Sequence, residues 1–185
     1  MKKLLSITVA VVLFAGIHEG LHALVAAAFG EYDAFRVRPF GFEVVFRTPV
    51  AERLGLQWAA ISGVPNVATV VLGFLVLAWR RSLASSRHGL VRSTAYWLCL
   101  LLLIGDPLNL SLGPFLYGGD ALGIAVGLQI SVWVVQAVAL AVFVVNRELV
   151  VQALLPSFGI TSTHPLVKPL IPVRGHRVPP DRAGA

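Results

Sequence analysis

Charged residues are scarce in this chain, and it has a single cysteine. Aspartate, glutamate, lysine and arginine make up only 13% of its 185 residues, whereas 57% are hydrophobic and the mean hydropathy is +0.81. A soluble domain of this size could not bury so much apolar surface, so the composition indicates an integral membrane protein. Because Cys99 is the only cysteine, an intrachain disulfide is excluded, and we expect a small buried side chain there.

Acidic residues are fewer than basic ones, nine against fifteen, and the formal net charge is +6. The basic residues cluster in the links between apolar runs and in the tail. This distribution is typical of residues that set membrane orientation, not of a nucleic-acid-binding surface. We therefore expect a lipid bilayer around the chain and no nucleic-acid partner.

Four apolar runs have the ~20 residues that a membrane-spanning helix needs. They cover approximately residues 4–29, 58–79, 91–112 and 121–145. Basic residues precede the first run, fill the link between the second and third, and follow the fourth. The positive-inside rule then predicts a multi-pass protein of the cell membrane with both termini in the cytoplasm. A cleaved signal peptide is the less favoured interpretation of the N-terminus, because the first run is too long for one.

The overall prediction is an all-α membrane protein with about four transmembrane helices, a short β-hairpin after the first helix and an extended tail. The hairpin is predicted from the near alternation of apolar and polar residues on both sides of Pro39-Phe40-Gly41. It is either a flap over the helix ends or an edge strand whose residues Phe42 and Val44 bind an extended substrate. The membrane domain is expected to comprise residues 1–148, and the Pro-rich basic tail residues 149–185.

The most informative motif is His18-Glu19-Gly20-Leu21-His22, which has the form HExxH and lies inside the first apolar run. Imidazole and carboxylate groups are costly in hydrocarbon and usually mark a functional site. Helical residues four apart lie on the same side, so His18 and His22 can bind one metal ion, for which Zn²⁺ is the expected cofactor. Glu19 is then the expected catalytic base, since it can take a proton from water on the metal.

A catalytic zinc site usually has three protein ligands, and two aspartates are candidates for the third. With a rise of ~1.5 Å per residue, His18 and Asp106 both lie ~21 Å from the basic ends of their runs, which favours Asp106. Asp120 reaches this depth only if the segment before it dips inward, which irregular backbone can do where protein buries it. The structural alternatives are a helix cap for Asp120 and a cap or kink at Pro107 for Asp106.

Asn66 in the second run and the small residues of the first run allow two further predictions. Asn66 in the second run lies ~12 Å from the outer side, where it can bind the substrate backbone or an oxyanion, or make an interhelical hydrogen bond. The first helix carries small residues on the side opposite His18, and such residues let helices approach closely. We expect that side to pack tightly against a neighbouring helix; it comprises Gly16, Gly20, Ala23 and Ala27.

The chain resembles the site-2 protease family of intramembrane zinc metalloproteases. The resemblance is carried by HExxH in the first spanning helix, by Ser62-Gly63-Val64-Pro65-Asn66 in the second, and by a Gly-flanked aspartate that begins a late helix, in the stretch Asn109 to Asp120. In that family the aspartate usually precedes its glycines, whereas here Gly118-Gly119 precede it. The resemblance covers roughly residues 4–145, and only HExxH is specific by itself.

This resemblance implies that Asp120 is the third zinc ligand, with Asp106 as the alternative. It also implies hydrolysis of a peptide bond in or near a transmembrane segment of another membrane protein, whose unwound chain pairs with the hairpin. The family generally places its zinc nearer the cytoplasmic face, whereas the basic residues here place it nearer the outer face. The competing interpretations are a non-catalytic metal-binding membrane scaffold and a small metal transporter or sensor. The latter is disfavoured because no ladder of acidic residues or histidines continues through the spans.

Overall fold

A computed structural model describes residues 2–39 and 41–171 of the chain, and most of these residues are helical. The predicted mostly helical fold and the hairpin after the first helix are confirmed. The prolines and basic residues of the tail after Ile171 lie outside the described residues. In chain order the elements are α1 (Lys2–Ala28), β1 (Tyr32–Arg38), β2 (Gly41–Phe46), α2 (Leu56–Ala78), α3 (Arg80–Ala84), α4 (Gly89–Leu112), α5 (Gly119–Leu128), α6 (Val132–Leu149) and α7 (Leu155–Ser157).

Four helical segments of the described chain are long and apolar enough to cross a membrane. Their number agrees with the prediction and is compatible with a multi-pass membrane protein. The first three also follow the predicted runs closely. The four segments are Lys3–Ala28, Leu56–Ala78, Gly89–Phe115 and Val132–Ser157.

The bounds predicted for the fourth span are wrong. The run 121–145 is divided, because α5 ends at Leu128 and Gln129 adopts a left-handed conformation with a φ of 56°. The Ser131 side chain then accepts a hydrogen bond from the Trp133 N–H and starts α6. The spanning segment continues to Ser157 through a π-helical turn, and so crosses the boundary predicted between residues 148 and 149. Hydropathy does not detect this break, because most residues around it are apolar.

The helix α1 packs through the side that carries its histidines. The prediction that its small-residue side packs against a helix is wrong: a Cβ on Gly20 would meet no atom within 4 Å. A Cβ on Gly16 would meet only Phe42 of the hairpin, at 3.9 Å. Both neighbouring helices are contacted from the other side of α1, where Ala26 clusters with Trp58 of α2 and His18 faces Asp106 of α4. Its buried residues recur at intervals of four or eight: Ser6, Ala10, His18, His22 and Ala26.

Close packing through small residues occurs instead between α2 and α5. A Cβ on Gly127 would collide with the backbone of Ala59, and a Cβ on Gly123 would collide with the side chain of Ser62. These glycines therefore let α5 lie directly against α2. The later glycine of α5 contacts the earlier residue of α2, so the two helices are antiparallel.

The helices α1 and α4 run parallel, with their starting residues side by side. Ser6 Oγ lies 2.7 Å from Ser93 Oγ near one end, and His18 Nδ1 lies 3.2 Å from Asp106 Oδ2 further along both helices. The start of α1, the basic link that contains α3, and the start of α4 consequently lie at the same end of the bundle.

The helix α6 is antiparallel to α4 and is joined to it by two side-chain amides. Pro107 has no backbone N–H, so the Leu103 carbonyl lacks its intrahelical donor, and Asn146 Nδ2 donates to it at 2.7 Å. Gln136 Nε2 donates at 2.8 Å to the Ser111 carbonyl, near the end of α4. Each amide thus donates to a carbonyl of α4 near a point where the backbone hydrogen bonds of this helix are interrupted or end.

The two strands pair antiparallel, with Phe35 opposite Val44, and the hairpin folds back along α1. Its base is anchored by Arg53, whose guanidinium lies 4.9 Å from the ring centroid of Phe46 and 4.6 Å from that of Trp58. Arginine over aromatic rings is a stabilising arrangement when partly buried. The anchored base leaves the far end of β2 beside the middle of α1, where HExxH lies.

Candidate metal centre

Two histidines and one aspartate come together where α1 meets the start of α5. His18 and His22 lie one helical turn apart on the buried side of α1, and Asp120 lies in the first turn of α5. The His22 Nε2 atom lies 3.1 Å from His18 Nε2 and 3.3 Å from Asp120 Oδ2, and the third distance, from His18 Nε2 to Asp120 Oδ2, is 3.4 Å. The three residues form a group that could hold a metal ion.

The spacing of these three atoms fits a tetrahedral ion. Nitrogen and oxygen ligands lie ~2.0–2.2 Å from zinc, and two such ligands of a tetrahedron are then about 3.3–3.6 Å apart. The three observed distances, 3.1 to 3.4 Å, are close to this range. Only small shifts of the rings are needed for all three atoms to share one ion, with a fourth position left for water or substrate.

The protonation of the three side chains is also compatible with a bound cation. His18 Nδ1 faces the Asp106 carboxylate and donates to it, so its Nε2 carries a lone pair when the ring is neutral. Asp120 Oδ2 is an acceptor when ionised. A proton on His22 Nε2 could satisfy only one of these two neighbours. Three electron-pair donors therefore converge where a positive charge would satisfy them together.

Asp120 reaches the histidines because the chain folds back after α4. The helix continues past the level of Asp106, and the chain then returns through the 3-10 turn Gly113–Phe115 and through Gly118-Gly119. Gly119 has a φ of 53°, a left-handed conformation that favours glycine. The inward dip that Asp120 requires is thus present. No side chain caps the start of α5, so Asp120 is not used as the helix cap.

Asp106, the alternative third ligand, lies on the other side of the His18 ring. Its Oδ2 atom faces His18 Nδ1 and accepts a hydrogen bond from the Thr69 hydroxyl on α2. Asp106 and Thr69 are both buried. The geometry therefore gives Asp106 the place of an orienting carboxylate that holds the imidazole, an arrangement common behind metal-binding histidines.

Asn66 lies against Asp120 and not on the wall of the cavity beside HExxH. Its Nδ2 atom donates to Asp120 Oδ2 at 3.0 Å and to the Ser62 carbonyl at 2.7 Å. Both amide hydrogens are therefore used, which leaves none for a substrate or an oxyanion. This placement corresponds to the interhelical hydrogen bond, the alternative that the sequence left open.

A cavity of about 400 Å³ opens beside the three-residue group. Glu19 lines it. Phe42 and Val44 of β2 also line it, together with Glu43 and Phe46 of the same strand and with Asn109, Tyr117 and Gly119. The structure thus brings together the predicted base, the predicted metal ligands and the two predicted strand residues around one space.

No known protein family, curated protein or solved structure matches this chain. The similarity to site-2 proteases therefore stays a prediction from the motifs quoted above.

A second and larger cavity, of about 760 Å³, lies between α2, α5 and α6. Apart from Asn66, Asp106 and Asn146, the residues that line it are apolar or glycine. Valine, leucine and isoleucine side chains suit contact with lipid but supply no group for chemistry. The predicted base and the three candidate metal ligands line the smaller cavity instead.

The sequence did not indicate Thr69 as part of the site. A helical spacing of three from Asn66 places both residues on neighbouring positions of one side of α2, and this spacing was the available signal.

The asymmetry of the two histidines was also not foreseen. His22 Nδ1 is buried and has no hydrogen-bond partner within the described residues, whereas His18 Nδ1 faces Asp106.

Proposed function

We propose that this protein is an intramembrane zinc metalloprotease of the site-2 type. It would hydrolyse a peptide bond in or near a transmembrane segment of another membrane protein. The observation that carries this proposal is the convergence of three potential zinc ligands with Glu19 on one cavity, inside a bundle whose helices are long and apolar enough to span a membrane.

His18, His22 and Asp120 are the residues that would hold the ion. A divalent cation bound there would act as a Lewis acid that activates water and polarises a peptide carbonyl. Glu19 lies next to His18 in sequence and lines the same cavity, so its carboxylate can accept the proton of the attacking water. It can then pass that proton to the leaving amine. Asp106 and Thr69 keep the His18 ring oriented, and Asn66 holds the Asp120 carboxylate.

The strand β2 is the proposed docking edge for the substrate. One of its edges pairs with β1, and its residues Phe42 and Val44 line the cavity. An extended segment added to the other edge would gain backbone hydrogen bonds and would pass the reacting groups. A transmembrane helix must unwind to bind in this way, so cleavage is expected where helix-breaking residues lower the cost of unwinding.

The test of the proposal is the variant Glu19→Gln in the full-length protein, reconstituted in vesicles with a panel of labelled single-span membrane proteins. Wild-type protein should bind one zinc ion and cleave at least one panel member. Glu19→Gln should retain the zinc and lose cleavage by about 10²–10⁴-fold, because the general base is removed while the ligands stay. Gel analysis of fragments and metal analysis by mass spectrometry measure the two quantities.

Glu52→Gln is the matched control, since Glu52 is exposed in the link before α2 and away from the cavity. It should behave as wild type. Undiminished cleavage by Glu19→Gln would overturn the catalytic assignment. Stoichiometric zinc without cleavage of any panel member would favour the scaffold, and zinc transfer across the vesicle membrane would favour the transporter.

A further inference from the structure

Asn109 and Tyr117 form a hydrogen-bonded pair on the wall of the cavity beside HExxH. The Tyr117 hydroxyl donates to Asn109 Oδ1, and both residues line the cavity together with Glu19 and Asp120. Asn109 lies on α4, one helical turn before its end, and Tyr117 lies in the segment that folds back towards Asp120. The pair therefore joins the two sides of this fold-back.

Gly119 makes room for the Tyr117 ring. A Cβ at position 119 would lie 2.6 Å from Cε2 of that ring and 3.1 Å from Cδ2. The backbone there also has a φ of 53°, which side chains other than glycine rarely adopt. The glycine that precedes the metal-facing Asp120 thus lets the aromatic ring lie against the chain immediately before this residue.

The donors available in the cavity are few. The carboxylates only accept hydrogen bonds, and the Nε2 atoms of the two histidines face the proposed ion. Asn66 does not line this cavity and has both of its amide hydrogens in use. His22 Nδ1 is buried and so does not face the cavity, which leaves Asn109 and Tyr117 as the neutral side-chain donors among the lining residues. The Tyr117 hydroxyl is used on Asn109 Oδ1, so Asn109 Nδ2 is the donor left for a bound carbonyl.

We infer that Tyr117 is a positioning residue for the reaction proposed above, on which this inference rests. By donating to Asn109 Oδ1 it fixes which end of the carboxamide faces the cavity. Asn109 Nδ2 then donates to the carbonyl oxygen of the scissile peptide as negative charge develops on it. Preoriented donors of this kind contribute strongly because they need no reorganisation during the reaction. Tyr117 itself does not touch the reacting atoms.

The kinetic test is a double-mutant cycle in vesicles. Asn109→Ala should lower kcat by about 10²-fold or more, as loss of an oxyanion donor does. Tyr117→Phe keeps the ring and removes the hydroxyl, and should lower kcat about fivefold to tenfold with KM unchanged, the effect of one neutral hydrogen bond. In the Asn109→Ala background the Tyr117→Phe change should have no further effect, because the group that it positions is gone.

The binding test uses acetohydroxamate and the zinc-loaded protein, and needs no proteolysis. The carbonyl oxygen of this probe stands in for that of the scissile peptide. Tyr117→Phe should raise its Kd about fivefold to tenfold without changing the zinc content. Asn109→Ala should raise it at least as much, and the double variant no more than Asn109→Ala alone. Tyr96→Phe is the control, since Tyr96 contacts Trp97 and Phe158 away from the cavity.

A Tyr117→Phe variant that cleaves and binds acetohydroxamate as wild type does would overturn the inference alone. An equal loss in the wild-type and Asn109→Ala backgrounds would also overturn it, because the hydroxyl would then act independently of Asn109. Wild-type protein that binds acetohydroxamate but cleaves nothing would overturn the proposed function, and the binding cycle would still decide the role of Tyr117. Absence of both binding and cleavage would overturn both.

Discussion

His18 has a different partner at each of its ring nitrogens. Its Nδ1 atom faces Asp106, which in turn accepts from Thr69, and its Nε2 atom faces His22 and Asp120. An imidazole held in this way has its tautomer and its orientation set before an ion binds. If an ion binds at this group, the buried hydrogen bonds behind the ring contribute to its affinity indirectly, by orienting one of the ligands.

The two aspartates should differ in their effect on zinc binding. Asp120→Asn removes a charged ligand and should weaken zinc binding more than Asp106→Asn. Asp106→Asn removes an orienting charge and should weaken it by about 10–100-fold. Thr69→Val should have a smaller effect in the same direction, since it acts through Asp106. Competition with a chelator of known affinity measures all three.

Thr94→Val is the matched control for Thr69→Val. The Thr94 hydroxyl is also buried but has no hydrogen-bond partner in the described part of the chain, so its removal should leave zinc affinity unchanged. The opposite order of the aspartates, with Asp106→Asn abolishing binding and Asp120→Asn retaining it, would make Asp106 the ligand.

The contact between α4 and α6 depends on a proline and an amide that compensate each other. Pro107 leaves the Leu103 carbonyl without an intrahelical donor, and Asn146 supplies one from the neighbouring helix at 2.7 Å. In the core of a membrane no water is available to donate a hydrogen bond to a free carbonyl, so the proline makes the interhelical bond necessary. The bond also explains why a polar asparagine is buried in a spanning segment.

Asn146→Leu should therefore destabilise the protein. The buried carbonyl would lose its donor, at a cost of about 1–2 kcal/mol, and the thermal midpoint in detergent should fall. In a Pro107→Ala background, which restores the backbone N–H at position 107, the same change should cost markedly less. Val145→Leu, at an exposed position of the same helix, is the control. An equal loss of stability on Asn146→Leu in the wild-type and Pro107→Ala backgrounds would show that Asn146 does not compensate for the proline.

The elements that hydropathy predicted least well are α5 and α6, the two helices that follow the fold-back between α4 and Asp120. A continuous run 121–145 was expected, but α5 ends at Leu128 and α6 begins at Val132. The small-residue interface was expected on α1, yet it lies between α2 and α5, at Gly123 and Gly127. Small residues occur on several helices of this chain, and their spacing alone does not indicate which of them meets a partner.

The molecule has one end rich in basic residues and one end that carries the hairpin. Arg80 and Arg81 lie at the basic end, near the starts of α1 and α4, whereas HExxH lies in the half of α1 nearer the hairpin. If the basic end is cytoplasmic, the proposed metal centre lies in the outer half of the membrane. This placement differs from the one that the resemblance to site-2 proteases implies.

Cysteine labelling in intact cells tests the orientation. Cys99→Ala removes only the buried sulfur atom and gives a cysteine-free background for single cysteines. Ala51→Cys in the hairpin-side link should react with a membrane-impermeant maleimide. Ser85→Cys in the basic link should react only after permeabilisation. The reverse pattern would place the hairpin and the proposed metal centre towards the cytoplasm.

Local patterns along the chain were sufficient to predict the first three long apolar helices, the hairpin and the proximity of His18 and His22. These features follow from hydropathy and from the helical repeat, both of which depend on residues close in sequence. The association of Asp120 with the histidines could not be decided in this way. It depends on a turn around Gly119 with no periodic signal, and on the glycines that let α5 lie against α2. Those contacts join residues far apart in sequence, so only the folded chain distinguishes the aspartate that groups with both histidines from the one behind the His18 ring.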